Sequence, residues 1–388
     1  MGKSDNLEIL KDKELLNRLV KEVQKMVVGE EDTIKTIILC SAGAWVEDPI
    51  EYASFNLCIN SRSGTGKDFV CGNTMKIFPN EMVERRKRVS PTTFTYWHNI
   101  NIEPEWTWDG KICYLEDITQ GVLDSPVFKI MASSHGGHST IVKDQRAIDL
   151  EVKGKPVMIV TTATGEPVEE LFRRFPMIQL DESEEQSTAI MKRKSEMAVS
   201  GKVVRLNKDI PNALRKMDRL RVIIPYATKF NEMEIFPKNI IVRTNYSRFL
   251  DYIKASAVLH QYQRKVKDYN VIAEPDDYEI ARECFMKTCQ NEFLIPLNQL
   301  EKKVVEHFKK LKHNTLMETH LTVKEFAVEF PDASESHLYK VFNGLKAKGY
   351  LKQDLEEREG VSKPVRTYKL VDVKAFRLPT KEEVFGGE

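Results

Sequence analysis

The stretch from Leu57 to Phe69, LCINSRSGTGKDF, limits what this chain can fold into more than any other. A short apolar run, Leu57-Cys58-Ile59, leads into a loop with Gly64 and Gly66, then Lys67, then a helical pattern. That order is strand, phosphate loop, helix. Small residues let the backbone N–H groups of Ser63, Gly64, Thr65 and Gly66 approach a polyphosphate, and the helix N-terminus adds partial positive charge. Lys67 is spaced to reach the terminal phosphates. Measured against G-x-x-x-x-G-K-[ST], Ser61 replaces the first glycine and Asp68 replaces the Mg²⁺-binding hydroxyl residue. A carboxylate also ligates Mg²⁺, but beside a triphosphate it adds repulsion. The competing reading is a glycine-rich turn that binds nothing.

Composition sets the outer limits. A chain of 388 residues, 41% hydrophobic, can bury a full core and divides into two or three domains. Lys and Arg number 59 against 58 Asp and Glu, a net charge of +1, so any nucleic-acid surface has to be a local patch. The six cysteines show no paired metal spacing and read as buried free thiols of a reducing compartment. No apolar run reaches the roughly 18 residues of a membrane span, and the charged start does not resemble a signal peptide. The expected location is the cytoplasm.

Along the chain, Leu7 to Met26 reads as one amphipathic surface helix or linker, and Val27 to Ala44 as a glycine-initiated turn and helix. Between Val89 and Asp117 lies a Trp-rich, acidic insertion that ends in the strand Ile112 to Leu115, followed by Glu116 and Asp117. Paired carboxylates at such a strand end serve nucleotide hydrolysis: one helps hold Mg²⁺, the other polarises the attacking water. The order here is Glu then Asp. Ser139 to Val152 reads as a hairpin with the polar tip Lys143-Asp144-Gln145-Arg146, either a solvated turn or a finger touching a phosphate backbone. Pro156 to Thr164 is an apolar strand ending in hydroxyls, where Thr161, Thr162 or Thr164 can meet a γ-phosphate or the water. Arg173 and Arg174 precede a further strand. An arginine in that place can stabilise transition-state charge on a nucleotide of the next subunit, or simply pair on the surface. His135-Gly136-Gly137-His138 reads as a glycine-rich turn rather than a zinc site.

Taken in order, these segments resemble the AAA+ module of minichromosome maintenance (MCM) helicases, over about residues 20 to 270. Val28-Gly29-Glu30-Glu31-Asp32 with Lys35 is similar to the segment that packs near adenine. SRSGTGKD is similar to Walker A, ICYLED to Walker B, and TTAT, taken at Thr162, to sensor 1. The resemblance makes Arg174 the arginine finger, Lys143 and then Arg146 the DNA contacts of a presensor hairpin, and Arg243 or Arg248 sensor 2. It implies ATP and Mg²⁺, the metal held by Glu116 and Asp68, and a homo-oligomer, expected as a hexamer, around DNA. It is closest to diverged MCM-like ATPases found beside primases in mobile elements, with a primase or a separate amino-terminal tier as possible partner.

The fold expected is α/β: an AAA+ P-loop core with a helical lid, followed by a winged-helix domain. The boundaries run 1–26 for a linker, 27–200 for the core, 201–273 for the lid, 274–375 for a helical connector and winged helix, and 376–388 for a tail. The last domain rests on three helical stripes, with Leu338, Val341, Phe342 and Leu345 buried in the third, and two strands around a charged loop. His337, Tyr339, Lys340, Asn343 and Lys346 then face outward, for nucleic acid or for protein. Two functions follow: an ATP-driven DNA translocase or helicase, or an initiator or loader that uses ATP as an assembly switch. A nucleotide-free scaffold is the weaker third.

Overall fold

The computed structural model describes residues 5–91, 93–97, 105–143, 146–162, 174–201, 203–236, 240–288, 297, 299–314, 320–330, 333–347, 350–357, 363–371 and 377–386. Arg173, Thr164, Asp144, Gln145 and Cys289 lie outside the described residues, as do the side chains of Lys143, Arg146 and Arg243. The chain forms two units, Met1–Phe293 with Leu378–Glu388, and Leu294–Arg377.

The larger unit is built on a parallel sheet of β1 (Leu57–Asn60), β2 (Val83–Arg86), β3 (Ile112–Leu115), β6 (Val157–Thr162) and β7 (Met177–Ile178). Their order is β2-β3-β6-β1-β7, and every pairing is parallel. Every residue of β1, β3 and β6 is buried, which is why each reads as a continuous apolar run: helices cover both faces of a parallel sheet. β1 lies between β6 and β7, so the loop after it opens at the carboxyl end of the sheet, where strand order reverses and ligands bind in such folds.

β4 (Gly137–Lys143) and β5 (Arg146–Val152) form a separate antiparallel hairpin. Its ladder starts at Gly137↔Val152 and closes at Lys143↔Arg146. The hairpin is two residues longer than the pattern predicts, because Gly137 and His138, expected in the turn, join the strand.

Helix Glu31–Ala42 is buried on nearly all sides, from Thr33 through Ala42 apart from Lys35. Helices Ile240–Leu259 and Pro275–Thr288 pack against it. Pro275–Thr288 therefore belongs to this unit and not to a connector: Tyr278, Ala281, Cys284 and Phe285 are buried in its core. Asp277 organises the start of this helix, accepting from the Glu274 N–H (2.9 Å), the Ser256 hydroxyl (2.7 Å) and Arg264 Nε (2.8 Å).

The amino-terminal segment is two helices, Asp5–Leu10 and Leu15–Gln24, not one. Asp12 interrupts them by accepting the Glu14 N–H (3.0 Å), a local bond that competes with helix. Leu15, Leu16, Leu19, Val20 and Val23 are buried, so this segment is part of the core rather than a linker. Residues 378–386 also differ from the expected tail. Leu378 is buried, the Tyr278 hydroxyl donates to the Pro379 carbonyl (2.7 Å), and Phe385 packs edge-on against Tyr226 and Tyr278.

The smaller unit has helices Gln299–Asn314, Val323–Ala327 and Glu335–Ala347, then the antiparallel pair β8 (Leu351–Glu356) and β9 (Val365–Leu370). Its core gathers Val304, Phe308, Phe326, Leu338, Phe342, Leu345 and Tyr368, and a capping box between Thr322 and Glu325 starts the second helix. Among the described residues, no helix is long and apolar enough to cross a membrane.

Candidate functional site

The site grows from the loop after β1. Gly64 and Gly66 have φ of +91° and +92°, a backbone region that favours glycine. A Cβ on either would meet nothing within 4 Å. Conformation and not crowding demands glycine there, and the space above the loop is open. Helix Lys67–Met75 begins at Lys67, and its first-turn N–H groups have no partner within the helix. Ser61, in the place of the first glycine, is buried and accepts the Leu180 N–H through its hydroxyl (2.8 Å). The substitution thus ties the loop to the segment that follows β7.

Four further side chains converge on this loop. Lys67, only 4% exposed, points its amine at Asp117 Oδ1, 3.0 Å away. Asp117 sits at φ +48° with its carboxylate largely in solvent, and its N–H donates to Thr161 Oγ1 (2.8 Å). The Thr161 hydroxyl in turn donates to Asp68 Oδ1 (2.6 Å). Asp68 on the helix and Thr161 on β6 therefore form a carboxylate–hydroxyl pair that also fixes the backbone of Asp117. The hydroxyl so placed belongs to Thr161; its neighbour Thr162, the expected sensor, is buried and pairs along the ladder with Asn60.

Glu116 is buried and held by Arg85 of β2, whose guanidinium also lies 5.5 Å over the Tyr114 ring. Burial, foremost, holds the Tyr114 hydroxyl well above its ordinary pKa, so it remains a donor, directed at the Asp68 carbonyl (3.5 Å). Arg85 is the residue that motif reading misses. The only signal for it is strand pairing, Arg85↔Tyr114, which puts it beside the carboxylate two residues on, on the same face of the sheet.

Asp68, Glu116 and Asp117 face Lys67 and Arg85, one negative charge in excess. Among the described residues no preformed group of three or more ligating side chains holds a metal. Mg²⁺ binds through one or two carboxylates and completes its shell with phosphate oxygens and water. The donor set of Asp68 and Glu116 is all oxygen and fits this ion.

Other expected positions are placed elsewhere. Gly29 has φ +65°, and a Cβ there would lie 2.4 Å from Gln186 Oε1. Gln186 Nε2 donates to the Val28 carbonyl (2.8 Å), and Glu30 accepts the Asp181 N–H (2.7 Å). Since Leu180 bonds Ser61, the segment after β7 joins the Gly29 turn to the phosphate loop. Arg174 precedes β7 at the amino end of the sheet. Its Nε donates to Ser133 (2.8 Å) and its carbonyl accepts from Asn56 Nδ2 (3.2 Å). Asn56 and Ser61 are separated by the length of β1, roughly 16 Å at about 3.3 Å per residue, so Arg174 lies at the end opposite its own phosphate loop. Arg248 is buried, donates to Asn245 (2.7 Å) and lies near Cys40, whose thiol burial pushes up to about 12. Lys143 and Arg146 close the hairpin ladder. Lys340 and Lys346 are exposed on the third helix of the smaller unit, Lys346 bonded to Gln353 (2.9 Å). His135 pairs with Asp109 (2.9 Å).

No curated protein matches the chain. A family model does match residues 2–217, more than half of its length, from the first helices through the phosphate loop and β7. The chain therefore belongs to the MTBMA_p00010 P-loop domain family, and its larger unit holds an α/β P-loop nucleotide-binding core.

Proposed function

We propose that this protein is an ATP-dependent DNA translocase or helicase of the MCM-like AAA+ type, acting as a hexameric ring in replication of a mobile element. The observation that carries the reading is the division of charge between the two ends of one sheet. Lys67, Asp68, Glu116 and Asp117 gather at the carboxyl end, while Arg174 is bonded in place at the amino end. On this reading the loop amides and Lys67 bind the phosphates, displacing Asp117 from its ion pair. Freed, Asp117 orients the attacking water, its backbone held by Thr161. Glu116 and Asp68 would hold Mg²⁺, which neutralises charge between the phosphates when bound. Arg174 meets the nucleotide of the neighbouring copy, since its own lies across the sheet. Gly29 and its neighbours face the base, Arg243 or Arg248 belongs to the lid, and the tips Lys143 and Arg146 follow a DNA strand. The smaller unit has the helix and strand order of a winged helix, with Lys340 and Lys346 available to phosphates.

The trans arrangement is tested by mixing. Lys67→Ala and Arg174→Ala proteins should each be inactive alone, and mixed in equal amounts should regain roughly a quarter of wild-type turnover, because some interfaces then combine an intact loop with an intact arginine. No recovery would remove the trans role.

One observation favours the second reading, an initiator or loader switched by ATP. Both carboxylates already have cationic partners, Asp117 in Lys67 and Glu116 in Arg85. Nucleotide that binds tightly with no turnover would support it.

A further inference from the structure

Four consecutive cations, Arg85-Arg86-Lys87-Arg88, end β2, and all four are exposed. β2 is the edge of the sheet. The Glu116 N–H bonds the Arg86 carbonyl (3.0 Å), so Lys87 and Arg88 emerge at the carboxyl rim. The first two cations have partners. Arg85 pairs with Glu116, and Arg86 lies 3.2 Å from Glu84 and 4.7 Å over the ring of Trp97. Among the described residues no carboxylate is within ion-pair distance of Lys87 or Arg88. In a chain whose net charge is +1, this is a local, uncompensated positive patch.

The patch rests on a rigid aromatic base. Trp97 stacks on Phe94 (5.5 Å, 5° between planes) and packs on Trp108 (4.8 Å), which Trp106 meets edge-on (4.8 Å). Phe94 and Trp108 are buried, Trp97 and Trp106 are half-buried, and Val89 packs against the same cluster. The backbone is thus anchored on both sides of Lys87 and Arg88, by Arg86 on Trp97 and by Val89, so the two cations are presented from a fixed stretch of chain.

We infer that the carboxyl end of β2, Arg86 to Arg88 with the partly exposed indoles of Trp97 and Trp106, is a contact site for a single-stranded polynucleotide, separate from the hairpin and the smaller unit. Cations beside half-buried indoles match a strand that offers phosphates and bases together, the bases meeting guanidinium planes and indole edges, since Phe94 and Arg86 occupy the faces of Trp97. An acidic protein would satisfy the charge and leave the indoles unused. The inference shares with the motor reading only the presence of a polynucleotide and needs no ATP turnover.

The test is a titration of the full chain, without nucleotide, with a twenty-residue oligothymidylate, following tryptophan fluorescence. Three of the four tryptophans, Trp97, Trp106 and Trp108, lie in this cluster. Quenching is expected, and the double variant Lys87→Ala/Arg88→Ala should lose about tenfold in affinity. The slope of log K against log salt should shrink by about 1.4, from two phosphate contacts at about 0.7 each. Neither side chain is buried, so the fold should be unaffected and DNA-free ATP turnover unchanged. Unaltered affinity and slope in the double variant would overturn the site. If single-stranded DNA still stimulated that variant's ATPase, the motor reading would stand without it; if no DNA bound at all, both would fall. Equal quenching by polyglutamate would overturn the polynucleotide assignment.

Discussion

The two ends of the central sheet solve opposite problems with the same kinds of group. At the carboxyl end, Lys67–Asp117 and Arg85–Glu116 are ion pairs at the rim, one partner of each substantially exposed. A triphosphate or a divalent cation can replace one partner without leaving a buried charge alone. At the amino end, Asn56 is fully buried and every polar atom of its amide is used. Nδ2 donates to the Ala132 and Arg174 carbonyls (2.7 and 3.2 Å), and Oδ1 accepts from Lys155 Nζ and the Met158 N–H (2.9 and 3.3 Å). A buried polar network that is satisfied in full rigidifies what it touches. What it touches is the segment carrying Arg174. Exchangeable pairs mark the end that receives ligand, and a locked node marks the end that has to hold its shape.

Breaking the exchangeable end should cost activity and not stability. Asp117→Asn keeps the shape but removes the negative charge. Steady-state turnover should fall about a hundredfold, while nucleotide affinity holds or rises because Lys67 no longer has a carboxylate to leave. A variant with near-normal turnover would show that Asp117 does not act on the water.

Breaking the locked end should do the reverse. Asn56→Ala removes the side-chain partner of the Met158 N–H and of two carbonyls and leaves the Lys155 amine only the Pro156 carbonyl, at a cost of about 3 kcal/mol in urea unfolding, with nucleotide affinity little changed. A loss under about 1 kcal/mol would mean that water replaces the amide and the node is not rigid.

A pH slope sharpens the contrast. Burial lowers the Lys155 amine from an ordinary 10.5 to about 7. Between these values the unfolded chain binds more protons than the folded one, so stability should climb as pH rises from about 7 toward 10.5. Lys155→Met should flatten the climb. Asp251, buried and raised to about 6, contributes the opposite sign lower down: its folded form binds the extra proton, so stability should fall as pH rises from about 4 to about 6.

Much of the ligand-receiving end was legible in the residues themselves. Continuous apolar runs announced β1, β3 and β6, and glycine before Lys67 announced a loop that needs positive φ. What could not be read depended on neighbours far apart in sequence. Arg85 finds Glu116 only through the register of β2 on β3, and Ser61 earns its place through the Leu180 amide. Thr161 rather than Thr162 reaches Asp68, because side chains alternate along β6 and one residue changes the face. The amino end was nearly silent: Asn56 and Lys155 belong to no motif. The structure departs from the boundary expected at 274 and from the expected tail for a related reason, since the apolar faces of Pro275–Thr288 and of Leu378, Val384 and Phe385 do not reveal which unit they cover.

The most direct measurement of the central claim is the rate of ATP hydrolysis by the purified chain with and without single-stranded DNA, beside Lys67→Ala and Arg174→Ala. A ring motor should show a basal rate that DNA raises and that either substitution abolishes. ATP that binds but turns over no faster than in Lys67→Ala, with or without DNA, would contradict the motor and leave the ATP-switched initiator.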